Sequence, residues 1–307
     1  MRIAAIDLGT NTFHLLIAEV GEGNINILFK TNVPVKLGEG RINEHMIIPA
    51  AFERGISCLK DFNSKIIDFG VDAVVATATS AVRSAKNGKE FVAAAKAEAK
   101  ISIAVISGDE EAELISKGVK LSGAVSARSL IMDIGGGSVE FILCDEDKLI
   151  WKKSYNIGAA RLMQQFFKTD PISDTEKNAI LFHVQNELAD LFEIVEQFQP
   201  TTLIGSAGAF ETFAELIERK HLRQIDLANL KTYQFNFDDY IAISLQLLNA
   251  THQQRAEMPG MIPLRVDMVV MATLITNYVL GRLKINNLVL STYDLKMGIV
   301  ANALNNA

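Results

Sequence analysis

Two distant stretches of this chain repeat one pattern, which limits the folds open to it more than any other feature. The first reads IDLGTNTFHLLI and the second MDIGGGSVEFIL, and they align without a gap, Asp7 with Asp133 and Gly9 with Gly135. Chance similarity between two hairpins is the alternative, because turns favour Asp and Gly anyway. Agreement at acidic, glycine, hydroxyl and apolar positions favours duplication. A duplicated strand, turn and strand predicts two related domains.

Short apolar runs alternate with segments of helical period along the chain, which is the pattern of an α/β protein. FHLLIAEV and INILFKTNVPVKL are predicted strands, and apolar residues at helical spacing predict a helix from Pro49 to Phe69. The pattern restarts after SGAVSARS. We therefore expect one domain over residues 1–126 and a second over 127–295.

Composition narrows the class of protein. With 49% apolar residues among 307, the chain can bury a sizeable core. No apolar run reaches the length of a membrane span, and the acid in MRIAAIDLGTN interrupts a signal-peptide pattern, so we expect a cytoplasmic protein that does not contact a membrane. The net charge of -6 argues against nucleic-acid binding. Cys58 and Cys144 are interpreted as buried reduced thiols.

The glycine turn between Asp133 and Glu140 is typical of a phosphate site. Consecutive glycines let backbone N–H groups approach a ligand, and such clusters bind phosphate oxygens. Strand alternation places Glu140 on the face of Ser138. Asp133 is placed to bind a hard cation such as Mg²⁺. A tight hairpin with solvated acids is the alternative. The P-loop and Rossmann glycine patterns are both absent from the sequence.

The segment ISGDEEAELISKGVKL adds a third acid to the candidate site. Ser107 and Glu110 have the spacing of a capping box at a helix start. Glu111 instead lies on the apolar face, three and four residues before its first two members. The residues predicted to form this face are Leu114, Ile115, Gly118 and Leu121. A carboxylate on an inward face is costly to bury, so we interpret Glu111 as a functional acid. Compensation of the helix dipole is the alternative.

Cations are needed to hold phosphate. Arg83 follows a strand and a polar loop, where its guanidinium could bind phosphate through two hydrogen bonds, although a surface arginine fits the sequence equally well. Arg161 and the cluster from Arg219 to Arg223 are more typical of a solvated surface.

The motifs along the chain resemble those of the exopolyphosphatase and guanosine pentaphosphate phosphohydrolase family, Ppx/GppA, of the actin, sugar-kinase and Hsp70 superfamily. The matching segments occur in order through most of the chain, and they read AAIDLGTNTFHLLIAE, VKLGEG, ATATSAVRSAKN, VISGDEEAELISKGV, LIMDIGGGSVEFIL, NIGAARL, LIGSAGAFETF, LRVDMVVMATLI and LVLSTYDLKMGIV. Such serial agreement is specific, whereas each segment alone is weak.

The resemblance implies a fold, an activity and a set of site residues. The fold is two ribonuclease H-like domains with an active-site cleft between them, and residues 296–307 form a helix packed on the first domain. The activity is hydrolysis of the terminal phosphate of polyphosphate or guanosine pentaphosphate, with Mg²⁺ as cofactor, and a homodimer is also implied. Glu111 resembles the catalytic carboxylate, and Asp133, Glu140 and Asp7 resemble the metal-associated acids. The residues that match the phosphate site are Thr10, Asn11, Arg83, Gly135, Gly136, Gly137, Ser138, Gly205, Ser206 and Gly208.

Two departures from the family pattern bear on substrate preference. The usual A-S-G-T turn is replaced by GSAGA at residues 205–209, and the late L-R-E-G reads LKMG, with Met297 in place of an acid. These changes motivate a second hypothesis, a weakly hydrolytic regulator that binds guanosine tetraphosphate. A sugar or acetate kinase of the same superfamily is a third.

Overall fold

The computed structural model describes residues 1–21, 23–206 and 208–304. The chain divides into two compact units, one formed by Met1–Gly118 with the segment from Leu295 onward, the other by Val119–Asp294. Across the described residues, no helix is both long enough and apolar enough to cross a membrane.

The first unit is built on a five-stranded mixed sheet. Its strands are β1 (Arg2–Leu8), β2 (Phe13–Gly21), β3 (Asn24–Val33), β4 (Ala73–Ala78) and β5 (Ile103–Val105). They lie in the order β3-β2-β1-β4-β5, with β2 antiparallel to both of its neighbours and β4 parallel to β1 and β5. Its helices are α1 (Pro49–Asp68), α2 (Ser80–Ser84), α3 (Gly88–Ala99), the part of α4 (Gly108–Ser122) up to Gly118, and α12 (Leu295–Leu304).

Packing in the first unit follows the apolar pattern of the sequence. The helix predicted from Pro49 forms, with Pro49 in its first turn, and it buries Leu59 and Phe62 against the sheet. Helix α12 contacts β1 and β2. Strand β3 ends at Val33, and the predicted continuation through PVKL does not form, because Pro34 has no N–H for the ladder and Lys36 adopts a φ of 51°.

The second unit has a six-stranded sheet that repeats this topology. Its strands are β6 (Ser129–Ile134), β7 (Val139–Cys144), β8 (Leu149–Tyr155), β9 (Thr202–Ser206), β10 (Thr232–Gln234) and β11 (Leu288–Ser291). The order β8-β7-β6-β9-β11 matches β3-β2-β1-β4-β5 in every strand direction, and β10 adds an antiparallel edge. The repeat seen in the sequence is therefore a repeat of the ribonuclease H-like fold, and the predicted fold class is confirmed.

The helices of the second unit surround its sheet. They are α5 (Ala159–Phe166), α6 (Asp174–Glu187), α7 (Ala189–Phe198), α8 (Gly208–Lys220), α9 (Phe237–Asn249), α10 (His252–Ala256) and α11 (Met268–Leu283). Val139 and Phe141 on one face of β7 join the helical core, while Glu140 and Ile142 on the other face are also buried. Both faces of β7 are covered, so a charge on either face of this strand needs partners.

Candidate active site

A row of polar side chains crosses the sheet of the second unit. Asp133 on β6 lies directly opposite Glu140 on β7, and on its other side it pairs in register with Ser206 on β9. Glu140 is in turn paired with Ser154 on β8. Ser206 Oγ donates a 2.8 Å hydrogen bond to Asp133 Oδ2, and Ser154 Oγ donates a 2.6 Å hydrogen bond to Glu140 Oε1. The sheet therefore fixes both carboxylates through hydroxyl partners.

Asp133 and Glu140 carry like charges in a buried position. Asp133 is 8% exposed and Glu140 is 1% exposed. Two carboxylates on adjacent strands repel each other, and burial strengthens the repulsion. Such a pair is a natural place for a cation, and the Mg²⁺ expected there from the sequence remains a prediction.

The glycine turn begins immediately after Asp133. Gly135 N–H donates to Ser138 O at 3.0 Å and closes the turn. In the described structure no backbone carbonyl accepts from the N–H groups of Gly136, Gly137 or Ser138. Such N–H groups are donors for an anionic ligand.

The first unit contains the equivalent turn. Gly9 N–H donates to Thr12 O at 3.1 Å, the counterpart of the bond between Gly135 and Ser138. Asp7 lies opposite His14 and beside Thr77, as Asp133 lies opposite Glu140 and beside Ser206. This turn thus places Thr10 and Asn11 where the second turn has its glycines. A histidine replaces the second acid here, so Asp133 and Glu140 form the acidic pair within one unit.

Glu111 lies in the first turn of α4, as predicted. The capping box forms, with Ser107 N–H donating to Glu110 Oε2 at 2.8 Å and Glu110 N–H donating to Ser107 Oγ at 3.2 Å. Glu111 is only 7% exposed. The prediction that Leu121 shares its buried face was wrong, because Leu121 is 42% exposed.

Arg83 is the cationic partner of Glu111. Its Nη1 donates to Glu111 Oε2 at 2.8 Å and to Ile106 O at 3.0 Å. Arg83 lies in α2, directly after β4, as the position after a strand and loop suggested. The pair fixes the direction of the buried carboxylate, and the phosphate contact predicted for Arg83 remains a prediction.

Packing and hydrogen bonding explain much of the sequence at residues 205–209. A Cβ on Gly205 would lie 2.1 Å from the ring of Phe210, so packing alone requires glycine there. Ser206 is fully buried and its hydroxyl is bound to Asp133. The predicted phosphate contacts of Gly205 and Ser206 remain predictions, and Ala207 lies outside the described residues.

Arg265 is a candidate binding residue that the sequence reasoning did not select. A Cβ on Gly208 would lie 1.9 Å from Arg265 Nη2, so the guanidinium occupies the space beside this glycine. Burial lowers the pKa of Arg265 below its ordinary value, opposed by the charges of Glu211 and Asp133. Its Nε is buried and lacks a hydrogen-bond partner among the described residues. Arg265 is therefore a half-buried cation near Asp133 whose buried Nε is an unused donor among the described residues, which suits an anionic ligand.

The other basic groups fall into two classes. The prediction of a solvated surface position was wrong for Arg161, which is 6% exposed and donates from Nε to Gly137 O at 2.8 Å. It was right for Arg223, whose side chain is 58% exposed while it binds Glu218. Arg161 is thus tied to the glycine turn.

The donor set fits Mg²⁺ bound together with a phosphate. Among the described residues, no group of three or more His, Cys, Asp and Glu side chains could hold a metal ion. Mg²⁺ is ordinarily held by one or two carboxylates together with waters and substrate phosphates. Asp133 and Glu140 supply such a pair, each oriented by a serine hydroxyl.

The two ribonuclease H-like units, each with a glycine turn after an aspartate, define a phosphate-handling protein. Comparison with known proteins identifies the family: the Ppx/GppA phosphatase family model matches residues 16–307. The chain therefore belongs to the Ppx/GppA phosphatase family, and the resemblance drawn from the sequence is confirmed.

Individual relatives support this assignment. An exopolyphosphatase crystal structure from Cytophaga hutchinsonii has a TM-score of 0.97 and 37% identity, covering 100% of this chain and 99% of that one. A bifunctional 3-dehydroquinate synthase/phosphatase of Fusobacterium nucleatum is 31% identical over 99% of this chain and 46% of its own length. A guanosine-5'-triphosphate,3'-diphosphate pyrophosphatase of Pseudoalteromonas atlantica is 32% identical over 70% of this chain and 42% of its own length. The chain thus matches less than half the length of these last two relatives.

Proposed function

We propose that this protein hydrolyses the terminal phosphoanhydride bond of inorganic polyphosphate or of guanosine pentaphosphate, in the cytoplasm. The observation that carries the proposal is the buried pair Asp133 and Glu140 beside a glycine turn whose N–H groups lack backbone acceptors in the described structure. Relatives named for exopolyphosphatase and guanosine pentaphosphate pyrophosphatase activity give the substrate classes.

Glu111 is the proposed general base. Its carboxylate is buried and oriented by Arg83, which suits a group that must hold one water in a fixed direction. The carboxylate orients the water for in-line attack on the terminal phosphorus and accepts its proton. The bond between that phosphorus and the bridging oxygen breaks, and the shortened chain leaves with the bridging oxygen.

The phosphates need donors and countercharge. The N–H groups of Gly136, Gly137 and Ser138 bind phosphate oxygens, and the half-buried Arg265 guanidinium adds a positive charge. Thr10 and Asn11 contribute the equivalent turn of the first unit. Asp133 and Glu140 would hold Mg²⁺, which offsets negative charge on the phosphate when bound.

The test compares substrates under identical conditions. Purified protein with Mg²⁺ is incubated with polyphosphate or guanosine pentaphosphate, and free phosphate is measured against a metal-free control containing EDTA. We expect release that depends on Mg²⁺ from at least one substrate.

The other outcomes separate the alternatives. Tight binding of guanosine tetraphosphate without phosphate release from either substrate would favour the regulator, although the relatives' names favour hydrolysis. Transfer of the phosphate to a sugar or to acetate rather than to water would favour a kinase.

A further inference from the structure

The carbonyl side of the second glycine turn is held by the start of α5. Three successive carbonyl oxygens of the turn accept hydrogen bonds from this one segment. The bonds are Ala159 N to Gly135 O at 2.9 Å, Ala160 N to Gly136 O at 2.8 Å, Arg161 N to Gly136 O at 3.2 Å and Arg161 Nε to Gly137 O at 2.8 Å. Only the last of these bonds uses a side chain.

Fixing these carbonyls also fixes the direction of the N–H groups. In a trans peptide, the C=O of one residue and the N–H of the next point in opposite directions. The bonds to the carbonyls of Gly135 and Gly136 therefore turn the N–H groups of Gly136 and Gly137 away from α5. The bond from Arg161 Nε to Gly137 O does the same for the N–H of Ser138.

Close approach of α5 requires a glycine in the supporting segment. A Cβ on Gly158 would lie 2.4 Å from Ser138 N and 2.5 Å from Gly136 O, both backbone atoms. Real Cβ atoms essentially never come within 3.0 Å of such atoms. In the sequence NIGAAR, the glycine thus allows the close approach to the turn, and the arginine binds the third carbonyl of the turn.

The first unit reaches the same result with a different segment. Gly38 N–H donates to Thr10 O at 3.0 Å, and Lys36 N–H donates to Asn11 O at 2.8 Å. A Cβ on Gly38 would lie 2.5 Å from Thr10 Cγ2. In the first unit a loop binds the carbonyls of the turn, whereas in the second unit the start of a helix binds them. The binding of these carbonyls is therefore not a by-product of how one particular helix packs. The shared result is a turn with its carbonyls anchored on one side.

We propose that Arg161 is a positioning residue: by binding Gly137 O, it holds the N–H of Ser138 toward the substrate phosphate. This inference rests on the proposed function, because it assigns the turn to phosphate binding. Arg161 acts through the turn and does not itself bind the phosphate. Arginine suits the role because its guanidinium stays charged and its planar group donates in a fixed direction.

The test uses Arg161→Met, which keeps an unbranched side chain but removes the donor, and Arg161→Lys, which restores one. Loss of a hydrogen bond to a charged group is expected to raise KM for tripolyphosphate about 10- to 100-fold in Arg161→Met, with kcat within about threefold of wild type. Arg161→Lys should recover part of the affinity. The matched control is Arg128→Met, because Arg128 also donates to a backbone carbonyl, Phe198 O at 3.1 Å, at an exposed position.

Direct binding separates this inference from the proposed function. The dissociation constant of tripolyphosphate, measured by calorimetry with Mg²⁺, should rise in Arg161→Met by the same factor as KM, and turnover is not needed for this measurement. A wild-type protein that binds tripolyphosphate but releases no phosphate overturns the proposed function alone. The positioning role is overturned if Arg161→Met leaves KM and the dissociation constant unchanged. It is also overturned if the variant lowers the melting temperature and kcat while KM stays the same. If Arg161→Met does not fold, Gly158→Ala decides, because its Cβ would lie 2.4 Å from Ser138 N and must displace the turn. Unchanged affinity for tripolyphosphate in that variant would overturn the positioning of the Ser138 N–H by this segment.

Discussion

Arg83 and Glu111 form a largely buried ion pair, with 2.8 Å between Arg83 Nη1 and Glu111 Oε2. The Glu111 side chain is 9% exposed and that of Arg83 is 24% exposed. A carboxylate held by one cation has a fixed direction, which is what a base that orients a water requires.

The first prediction concerns this carboxylate. Glu111→Gln keeps the shape of the side chain and removes the proton acceptor, so kcat for phosphate release is expected to fall about 10²- to 10⁴-fold. The matched control is Glu113→Gln on the same helix, where Glu113 pairs with Lys117 at a side-chain exposure of 46%. Near-normal turnover by Glu111→Gln, in protein with a normal melting temperature, would remove Glu111 from the role of base.

The second prediction concerns Arg265. Replacing it by methionine removes a half-buried cation near Asp133 and its buried, unused Nε donor. We expect KM for polyphosphate or guanosine pentaphosphate to rise about 10- to 100-fold, the cost of one hydrogen bond to a charged group. Arg282→Met is the control, because the Arg282 side chain is 52% exposed. Equal effects of the two substitutions on KM would show that Arg265 is structural.

The third prediction tests the approach of Arg265 to Gly208. The methyl group of Gly208→Ala would lie 1.9 Å from Arg265 Nη2, so the guanidinium must move. The loss of affinity should resemble that of Arg265→Met, and the double variant should be no worse than the worse single variant. Gly281→Ala is the control, since no heavy atom lies within 4 Å of its added Cβ, and in a helix it should be neutral or slightly stabilising. Additive losses in the double variant would mean that the two positions act separately.

The fold could be predicted because the strands, helices and repeated turns that define it leave local patterns in the sequence. The repeat of the IDLGTN and MDIGGG turns is visible in the sequence, and the matching strand orders of the two sheets follow from it. Glu111 could be selected because helix periodicity alone placed a carboxylate on an inward face. Strand β8 was not predicted. Its sequence, LIWKKSY, contains two consecutive lysines, which interrupt the alternation of apolar and polar residues that indicates a strand.

The unpredicted parts of the site depend on contacts between distant residues. The partner of Ser206 is Asp133 on a neighbouring strand, 73 residues earlier. Arg161 is buried because a turn 24 residues earlier supplies its acceptor carbonyl. Arg265 lies between α10 and α11 with no periodic pattern around it. Burial of an arginine is decided by such partners, and the residues next to it in sequence do not reveal them.

The fourth prediction concerns the two cysteines. Burial raises the pKa of Cys58 to about 12 and that of Cys144 to about 11, from an ordinary value of 9.0. The reactive thiolate is therefore scarce in the folded protein at pH 8. We expect no alkylation by iodoacetamide at pH 8 in the native protein and two alkylated cysteines in guanidinium chloride, measured by mass spectrometry. Rapid modification of the folded protein would contradict the burial of both thiols.

The last prediction concerns the pH dependence of stability in the second unit. Desolvation acts to raise the pKa of Glu176, but hydrogen bonds from Thr169, Ser173 and Lys168 outweigh it and lower the pKa from 4.5 to about 2. The carboxylate closes the capping box of α6 with Ser173. A lowered folded-state pKa means that this stabilisation is complete above pH 4.5 and is lost as the pH falls from 4.5 to about 2.

Glu176→Gln tests this assignment by denaturant unfolding at a series of pH values. At pH 7 the substitution should lower the free energy of unfolding by about 1–2 kcal/mol, the usual cost of losing a helix cap. The difference from wild type should shrink below pH 4.5 and approach zero near pH 2. Glu187→Gln, at an exposed position at the other end of α6, should leave the unfolding midpoint unchanged at every pH. A difference between wild type and Glu176→Gln that stays constant from pH 7 to pH 2 would show that the charge of Glu176 does not stabilise the fold.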